Sequence, residues 1–246
     1  MSGDLGPSLA VVGVGLAVIG LLITRSIPLT ILGASVAVMG VLAGWGEGAV
    51  EESLLGLSSA SWDDLALLLE AVGAVGRAVY IPSALTEDSR PCALIPQGGE
   101  GVWGGFSGKL PAGFVVRYGP GPSGIGLRLA TMGSKAVEAC MEAGAVSGDL
   151  GSTLSNCLVN HLSLARRVEA SSQGDSVTVV VWGSRAGAVY GGTVVEAVLG
   201  SPTASMVAAL AAEALGRPVE VAGEEKERGD AARRGGGALR VSLRVV

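Results

Sequence analysis

Two apolar runs without a charge open the chain, and each is long enough to form a membrane helix. The first covers residues 8–24 and the second covers residues 27–45, and Arg25 is the sole ionisable residue in or between them. Neither run has a polar face at helical spacing, as a surface helix of a soluble domain would need. As helices they would extend about 25 and 28 Å, close to the ~30 Å hydrocarbon core of a bilayer. The pattern predicts a transmembrane helical hairpin over residues 1–46.

Small residues recur along one side of the second predicted helix. Gly33, Ala37, Gly40 and Gly44 follow one another at helical spacing. Small side chains let helix backbones approach closely in lipid, where the hydrophobic effect does not drive helix association. We expect this stripe either to pack the two helices together or to mediate self-association or contact with another membrane protein.

The remainder of the chain shows the mixed periodicities of an α+β domain. Residues 47–60 are interpreted as a linker, and residues 61–246 as one globular α+β domain with an antiparallel sheet. The predicted helices cover residues 61–75, 132–143, 149–164 and 202–215. The predicted strands cover residues 77–82, 91–96, 113–118, 124–130, 166–171, 176–182, 217–222 and 238–246, and a charged turn covers residues 223–237.

The composition excludes several classes of function. The net charge is −5, and no Lys/Arg cluster is interleaved with aromatic residues, so we expect no nucleic acid partner. Cys92, Cys140 and Cys157 are few and far apart, which argues against a disulfide framework or a zinc site and favours buried thiols. His161 is the one histidine, and no nucleophile or acid stands at a useful spacing from it. We therefore predict no catalytic, cofactor-binding or metal-binding residue.

One helix start is a candidate anion or ligand site. Ser201, Thr203 and Ser205 lie at or near the beginning of the predicted helix 202–215, where free N–H groups and the helix dipole attract negative charge. The alternative is that these hydroxyls only cap the helix.

The sequence of residues 132–246 combines the hairpin RRVEASSQGDSVTVVVW, a helix closing in LGRPVEV and the final strand LRVSLRVV. This order resembles the 4-vinyl reductase-like domain, which is related to subunits of the TRAPP transport particle. Domains of that family bind small hydrophobic ligands or serve as sensory and assembly modules. Many carry one cysteine before and one after a Gly-Asp pair. Here the pair is Gly229-Asp230, but Glu225 and Arg233 stand where the cysteines would be expected. Together with the hairpin, the domain also resembles uncharacterised archaeal membrane proteins.

These patterns lead to one expected function and two alternatives. We expect a non-enzymatic scaffold or interaction module in the cell membrane, anchored in the lipid bilayer by two helices, with a small apolar ligand as a further expectation. The alternatives are a ligand-responsive sensory domain that controls oligomeric state and an enzyme of unrecognised type. The globular domain would be cytoplasmic by analogy, but outside by a strict positive-inside reading of Arg25.

Overall fold

The structure is a computed structural model in which the chain divides into two compact units, Met1–Ser61 and Trp62–Val246. The unit boundary lies next to the predicted start of the globular domain at residue 61. The backbone is described for residues 5–23, 25–74, 76–97, 108–119, 124–184, 192–227 and 237–246, and the side chains for the same ranges without 5–7, 42–61 and 227.

The N-terminal unit begins with two helices joined by a short turn. Helix α1, Leu5–Val18, continues as one π-helical segment, Ile19–Ile23, and helix α2 covers Ile27–Ala71. Arg25 lies in the turn with a positive φ of 49° and is exposed. Pro28 is the second residue of α2, where its missing N–H leaves no helical hydrogen bond unmade.

Helix α2 includes the predicted linker. Residues 47–60 are helical, and the helices predicted at 27–45 and 61–75 are parts of this one element. The linker segment contains Glu, Ala, Leu and Ser but no proline, and its glycines cost only about 1 kcal/mol each in a helix. The helix ends at Ala71, shortly before Gly73 adopts a left-handed φ of 64°.

The globular unit confirms the α+β class with an antiparallel sheet. Its eight strands are hydrogen-bonded in the order β3-β4-β2-β1-β7-β8-β6-β5, and each pairing of strands is antiparallel. The strands are β1 Val79–Ile81, β2 Cys92–Pro96, β3 Val115–Arg117, β4 Ile125–Leu129, β5 Arg167–Gln173, β6 Ser176–Trp182, β7 Val219–Glu227 and β8 Ala238–Val245.

The helices of this unit pack their apolar residues against the sheet. They are α3 Met132–Glu142, α4 Leu150–Leu154 with a π-helical continuation Ser155–His161, α5 Val194–Leu199 and α6 Pro202–Leu215. Every residue of α6 from Pro202 to Ala212 is buried. Its alanines permit close approach, and a methyl group added to Gly133 of α3 would lie 2.2 Å from the carbonyl oxygen of Ser205. Helix α6 is thus the central element of the core.

Three local predictions differ from the structure. Helix α5 was not predicted. Strand β7 continues to Glu227, through the first residues of the predicted charged turn, because it pairs with β8 up to Ala238. The other part of that turn, residues 228–236, lies outside the described residues. The hairpin of β5 and β6 turns at Gly174-Asp175 alone, so β5 ends two residues later than predicted.

Candidate functional site

The small-residue stripe lies between the two helices of the hairpin. A methyl group added to Gly33 would lie 2.3 Å from the backbone nitrogen of Ala17, and one added to Gly13 would lie 2.3 Å from that of Ala37. Both distances are far inside van der Waals contact, so these glycines admit no side chain. Gly33 and Ala37 of the stripe therefore lie in the contact between α1 and α2. Self-association through the hairpin stays a prediction.

Gly20 repeats this arrangement seven residues after Gly13. A methyl group on Gly20 would lie 2.7 Å from the backbone nitrogen of Thr30. Gly40 is buried, and Gly44 lies in α2 where side-chain surroundings are outside the described residues. A seven-residue repeat of contact positions is typical of helices that supercoil around each other. Gly13, Gly20 and Gly33 thus bring the two helix backbones close together.

The large aliphatic side chains of the hairpin are exposed. Val11 is 73% exposed and Ile23 is 74% exposed, although both lie in a purely apolar sequence. This is the reverse of a helix pair in water, which places large apolar residues inside. Contiguous exposed apolar surface marks a membrane or protein contact. The other large aliphatic residues exposed in this part of the chain are Leu9, Val12, Val14, Val18, Ile19, Leu21, Leu22, Ile27, Ile31, Leu32, Val38, Met39 and Val41.

Length and composition alone single out a different helical segment. Among the described residues, Val194–Leu215 is long and apolar enough to cross a membrane, but 78% of its most apolar stretch is buried, as in the core helix of a soluble unit. The apolar helices of the hairpin, Ser8–Ile23 and Ile27–Val41, are each 10–17 residues long within the described side chains. By this measure the structure does not show two membrane-spanning helices.

The start of α6 is closed by the chain's own groups. The Ser201 hydroxyl accepts a hydrogen bond from the Ala204 N–H at 3.3 Å, as the cap predicted there requires. The Glu224 carboxylate accepts a hydrogen bond from the Ser201 N–H at 2.7 Å. A negative group at this end of a helix is stabilised by the dipole. A carboxylate of the protein therefore lies where an external anion would bind.

The other two hydroxyls of this candidate site also serve the fold. Thr203 is 5% exposed and shares a hydrogen bond with Ser184 at 2.7 Å. Ser205 is fully buried, with its hydroxyl 3.5 Å from that of Thr131. The structure does not bring Ser201, Thr203 and Ser205 together as an open site, and capping and packing account for them.

A polar cavity of about 290 Å³ lies beside β2, β4 and the first turn of α3. Five charged residues line it, and they come from distant parts of the chain. Three are cationic and two are acidic, which leaves one positive charge in excess. They are Asp88, Arg90, Arg128, Lys135 and Glu138.

Arg128 is the buried charge of this cavity. Its side chain is 9% exposed, and its Nη2 donates to the Asp88 carboxylate at 2.6 Å. Nη1 donates to the carbonyl oxygen of Pro111 at 3.4 Å. The Nε of Arg128 is buried and has no well-aligned acceptor among the described residues, although the buried Cys92 thiol also lies beside this guanidinium. A buried donor without an acceptor costs about 1–3 kcal/mol, so this N–H favours a bound acceptor.

The other charges leave one cation unpaired. Lys135 is paired with Glu138 at 2.6 Å. The Arg90 guanidinium forms no ion pair within the described part of the chain, although its backbone N–H donates to Asp88 at 3.3 Å. The hydrogen bond from Arg128 lowers the pKa of Asp88, which keeps this carboxylate ionised. The excess positive charge of the lining is therefore that of Arg90.

An apolar groove of about 490 Å³ adjoins the polar cavity. Ala130 and Lys135 line both, so the two spaces are next to each other. The groove is shallow and largely open to solvent. Methionines suit variable ligands because their side chains are flexible and polarisable. The apolar lining residues at the groove's centre are Trp62, Met132, Ala139, Leu162, Leu164 and Met206.

The thiols and the histidine give no sign of chemistry. Cys92, Cys140 and Cys157 are buried and free, as predicted, and burial raises the pKa of each. A protonated thiol is a poor nucleophile. His161 is exposed at the end of the π-helical segment. Among the described residues, no group of three His, Cys, Asp or Glu side chains could hold a metal ion.

The polar cavity was not predicted. Asp88 and Arg128 are forty residues apart, and neither lies in a motif. A charge within the alternating strand GIGLRLA is the one sequence signal that Arg128 offers, since alternation predicts an outward side chain for it.

The sequence was compared with family models and with known proteins. Residues 7–233 match the model of a domain of unknown function, DUF7982. The chain belongs to the DUF7982 family. The matched residues include the hairpin and most of the globular unit, so DUF7982 covers both. No curated protein and no solved structure matches the sequence. The resemblance of residues 132–246 to the 4-vinyl reductase-like domain stays a prediction.

Proposed function

We propose that this DUF7982 protein is a membrane-anchored, non-enzymatic binding module. The hairpin of residues 8–45 anchors the chain in the bilayer, and the globular unit binds a partner or a small apolar ligand. The observation that carries the proposal is the exposed aliphatic surface of the hairpin around a helix contact made of glycine and alanine.

Lipid accounts for this arrangement better than water does. Removing one large aliphatic side chain from water contributes about 1.5–3 kcal/mol, and the hairpin exposes many of them. In lipid those side chains need no protein partner, and helix pairs associate through close backbone contact at small residues. Gly13 and Gly33 provide such a contact.

The turn also suits a membrane surface. Arg25 is exposed between the two helices, where its guanidinium can reach headgroups. It is the one basic residue near either span, so a strict positive-inside reading places the turn in the cytoplasm and the globular unit outside. The resemblance of residues 132–246 to sensory and assembly modules favours, by analogy, a globular unit in the cytoplasm. Protease protection of sealed vesicles distinguishes these orientations.

Flotation after alkaline extraction tests the anchor. Wild-type protein should rise with lipid in a density gradient. The double variant Val12→Glu/Val38→Glu places two charges on the exposed hairpin surface and should remain at the bottom, because each charge costs about 2.5–3.5 kcal/mol at the centre of a bilayer. Leu67→Glu is the matched control, since Leu67 is an exposed leucine of α2 in the globular unit and should not change flotation. Wild-type protein that stays soluble without detergent contradicts the proposal.

The apolar groove favours one second candidate, a ligand-responsive sensory domain that controls oligomeric state. A ligand in the groove would contact α2, α3 and α6 together, through Trp62, Met132 and Met206. Chemical crosslinking in bilayers, with and without an apolar ligand, tests this candidate. A change in the oligomer distribution on ligand addition supports it, and an unchanged distribution with the ligand bound contradicts it.

A further inference from the structure

We infer that the globular unit binds an anionic amphiphile, with its charged head in the polar cavity beside Arg128 and Arg90 and its hydrocarbon body in the adjoining apolar groove. The inference rests on the proposed binding role of this unit and names the class of its ligand. It does not depend on the membrane anchor.

The guanidinium of Arg128 provides the part of the site that would bind the charged head group. This side chain is 9% exposed and carries a buried Nε without a well-aligned acceptor among the described residues. Asp88 occupies Nη2, so the pair does not use the full fork of five donors that a guanidinium presents. A carboxylate or phosphate oxygen is the acceptor that matches a guanidinium best.

The sign of the head group follows from the charges of the lining. Lys135 and Glu138 pair with each other, and Asp88 pairs with Arg128. Arg90 has no such pair within the described residues, so the cavity holds one positive charge in excess. A single negative charge on the ligand neutralises the site, whereas a neutral or cationic head leaves or increases the imbalance.

The apolar groove lies next to the polar cavity, where it can take the hydrocarbon body of the ligand. Ala130 and Lys135 line both, and Lys135 can lay its aliphatic stem along the groove while its ammonium stays at the polar end. The volumes of about 290 and 490 Å³ fall within the range of ligand sites, roughly 300–1,000 Å³, when taken together. A free anion would leave the larger space empty, and a neutral hydrocarbon would leave the Arg128 Nε unpaired.

Native mass spectrometry of the full-length protein, released from phosphatidylcholine nanodiscs, tests the inference with three probes. Decanoate carries both parts of the ligand, 1-decanol lacks the charge, and acetate lacks the chain. We expect one decanoate per chain, binding at least about tenfold more tightly than 1-decanol, since a hydrogen bond to a charged group contributes about 1.5–3 kcal/mol. Acetate should not bind in the same concentration range.

Variants locate the two ends of the site. Arg90→Gln should weaken decanoate binding about fivefold or more, and Arg117→Gln, an exposed arginine of β3 outside the cavity, should not. Ala139→Phe fills the groove and should abolish decanoate binding. Ala143→Phe, on the exposed end of the same helix, is its control. Asp88→Asn removes the carboxylate that competes for Arg128 and should strengthen decanoate binding.

Each other outcome overturns the inference in a recognisable way. Equal affinity for 1-decanol and decanoate indicates an apolar groove without a head-group site. Equal affinity for acetate and decanoate indicates a free-anion site only. Absence of all three adducts from folded protein shows that water satisfies Arg128 and that the depression binds no such ligand. Flotation reports on the anchor separately, so a failure of the anchor and a failure of this site are distinguishable.

Discussion

Gly13 and Gly15 are two residues apart on α1, but only Gly13 is in contact with another helix. A methyl group on Gly13 would lie 2.3 Å from the backbone of Ala37, whereas one on Gly15 would meet nothing within 4 Å. Both are glycines in an apolar run, and the sequence alone gives them the same environment. The helix contact therefore depends on particular positions rather than on a high glycine content.

The first prediction compares these two glycines. Gly13→Leu should separate α1 from α2, because the side chain has no space, and Gly15→Leu should leave the hairpin intact. Spin labels on cysteines placed at the exposed Val12 and Val38 measure the separation in bilayers. The three native cysteines are buried and should not react. An equal effect of both substitutions would contradict the packing described here.

The second prediction concerns the stability of the folded protein in acid, which depends on the charge of Asp88. Its pKa lies below the ordinary value of 3.8 in the folded protein because Arg128 donates to it. The folded state thus binds this proton less strongly than the unfolded state does. The resulting stabilisation is present above about pH 4 and is lost as the pH falls through the lower, folded-state value.

The free energy of unfolding should therefore fall less between pH 7 and pH 3 in Asp88→Asn than in the wild type. Urea unfolding in detergent at pH 7 and pH 3 measures the difference between variant and wild type. Glu142→Gln removes an exposed carboxylate without a described partner and is the control. An Asp88→Asn variant that loses as much stability as wild type between the two pH values would refute the role of the ion pair.

At the scale of elements, α3 and α6 pack closely because Gly133 faces Ser205 and Ala209 of α6. A methyl group on Gly133 would lie 2.2 Å from the Ser205 carbonyl oxygen and 2.9 Å from the side chain of Ala209. The carbonyl belongs to a buried helix and cannot move aside cheaply. The cap of α3, formed by Thr131 and Ser134, lies in the same contact.

The third prediction follows from this contact. Gly133→Ala should destabilise the globular unit by about 1–3 kcal/mol, the usual range for overpacking. Gly151→Ala is the matched control in α4, where the nearest atom to an added methyl group is 3.6 Å away. It should raise stability by about 0.5–1 kcal/mol, because alanine is the better helix former. Urea unfolding monitored by circular dichroism measures both.

The elements that could be predicted are those with strong local signals. Ser201-Pro202 and Gly216 bound α6 as expected, and proline-bounded runs gave β1 and β2. The failures have physical reasons. The segment 47–60 has few large aliphatic residues, Val50, Leu54, Leu55 and Leu57, among charged and small ones, yet it forms part of α2. Helix α5 has only six residues, too few for a periodic pattern.

At the scale of the whole molecule, the site was beyond the reach of sequence periodicity. Arg128 and Asp88 meet because β4 pairs with β2, and the segment after β1 folds back beside them. Pairing partners in a sheet depend on tertiary contacts that no local pattern encodes. The hairpin differs, because its signal is local: a long charge-free run, a turn at Arg25 and small residues at helical spacing.

The central claim is that lipid surrounds the hairpin. The most direct measurement places spin labels at Val12, Ile31, Val38 and Arg25 in bilayers. It compares how strongly oxygen and a water-soluble nickel chelate relax each label. Our account predicts greater access for oxygen at the three aliphatic positions and for the chelate at Arg25. Chelate access at all four positions, or protection of the aliphatic positions from both reagents, would contradict it.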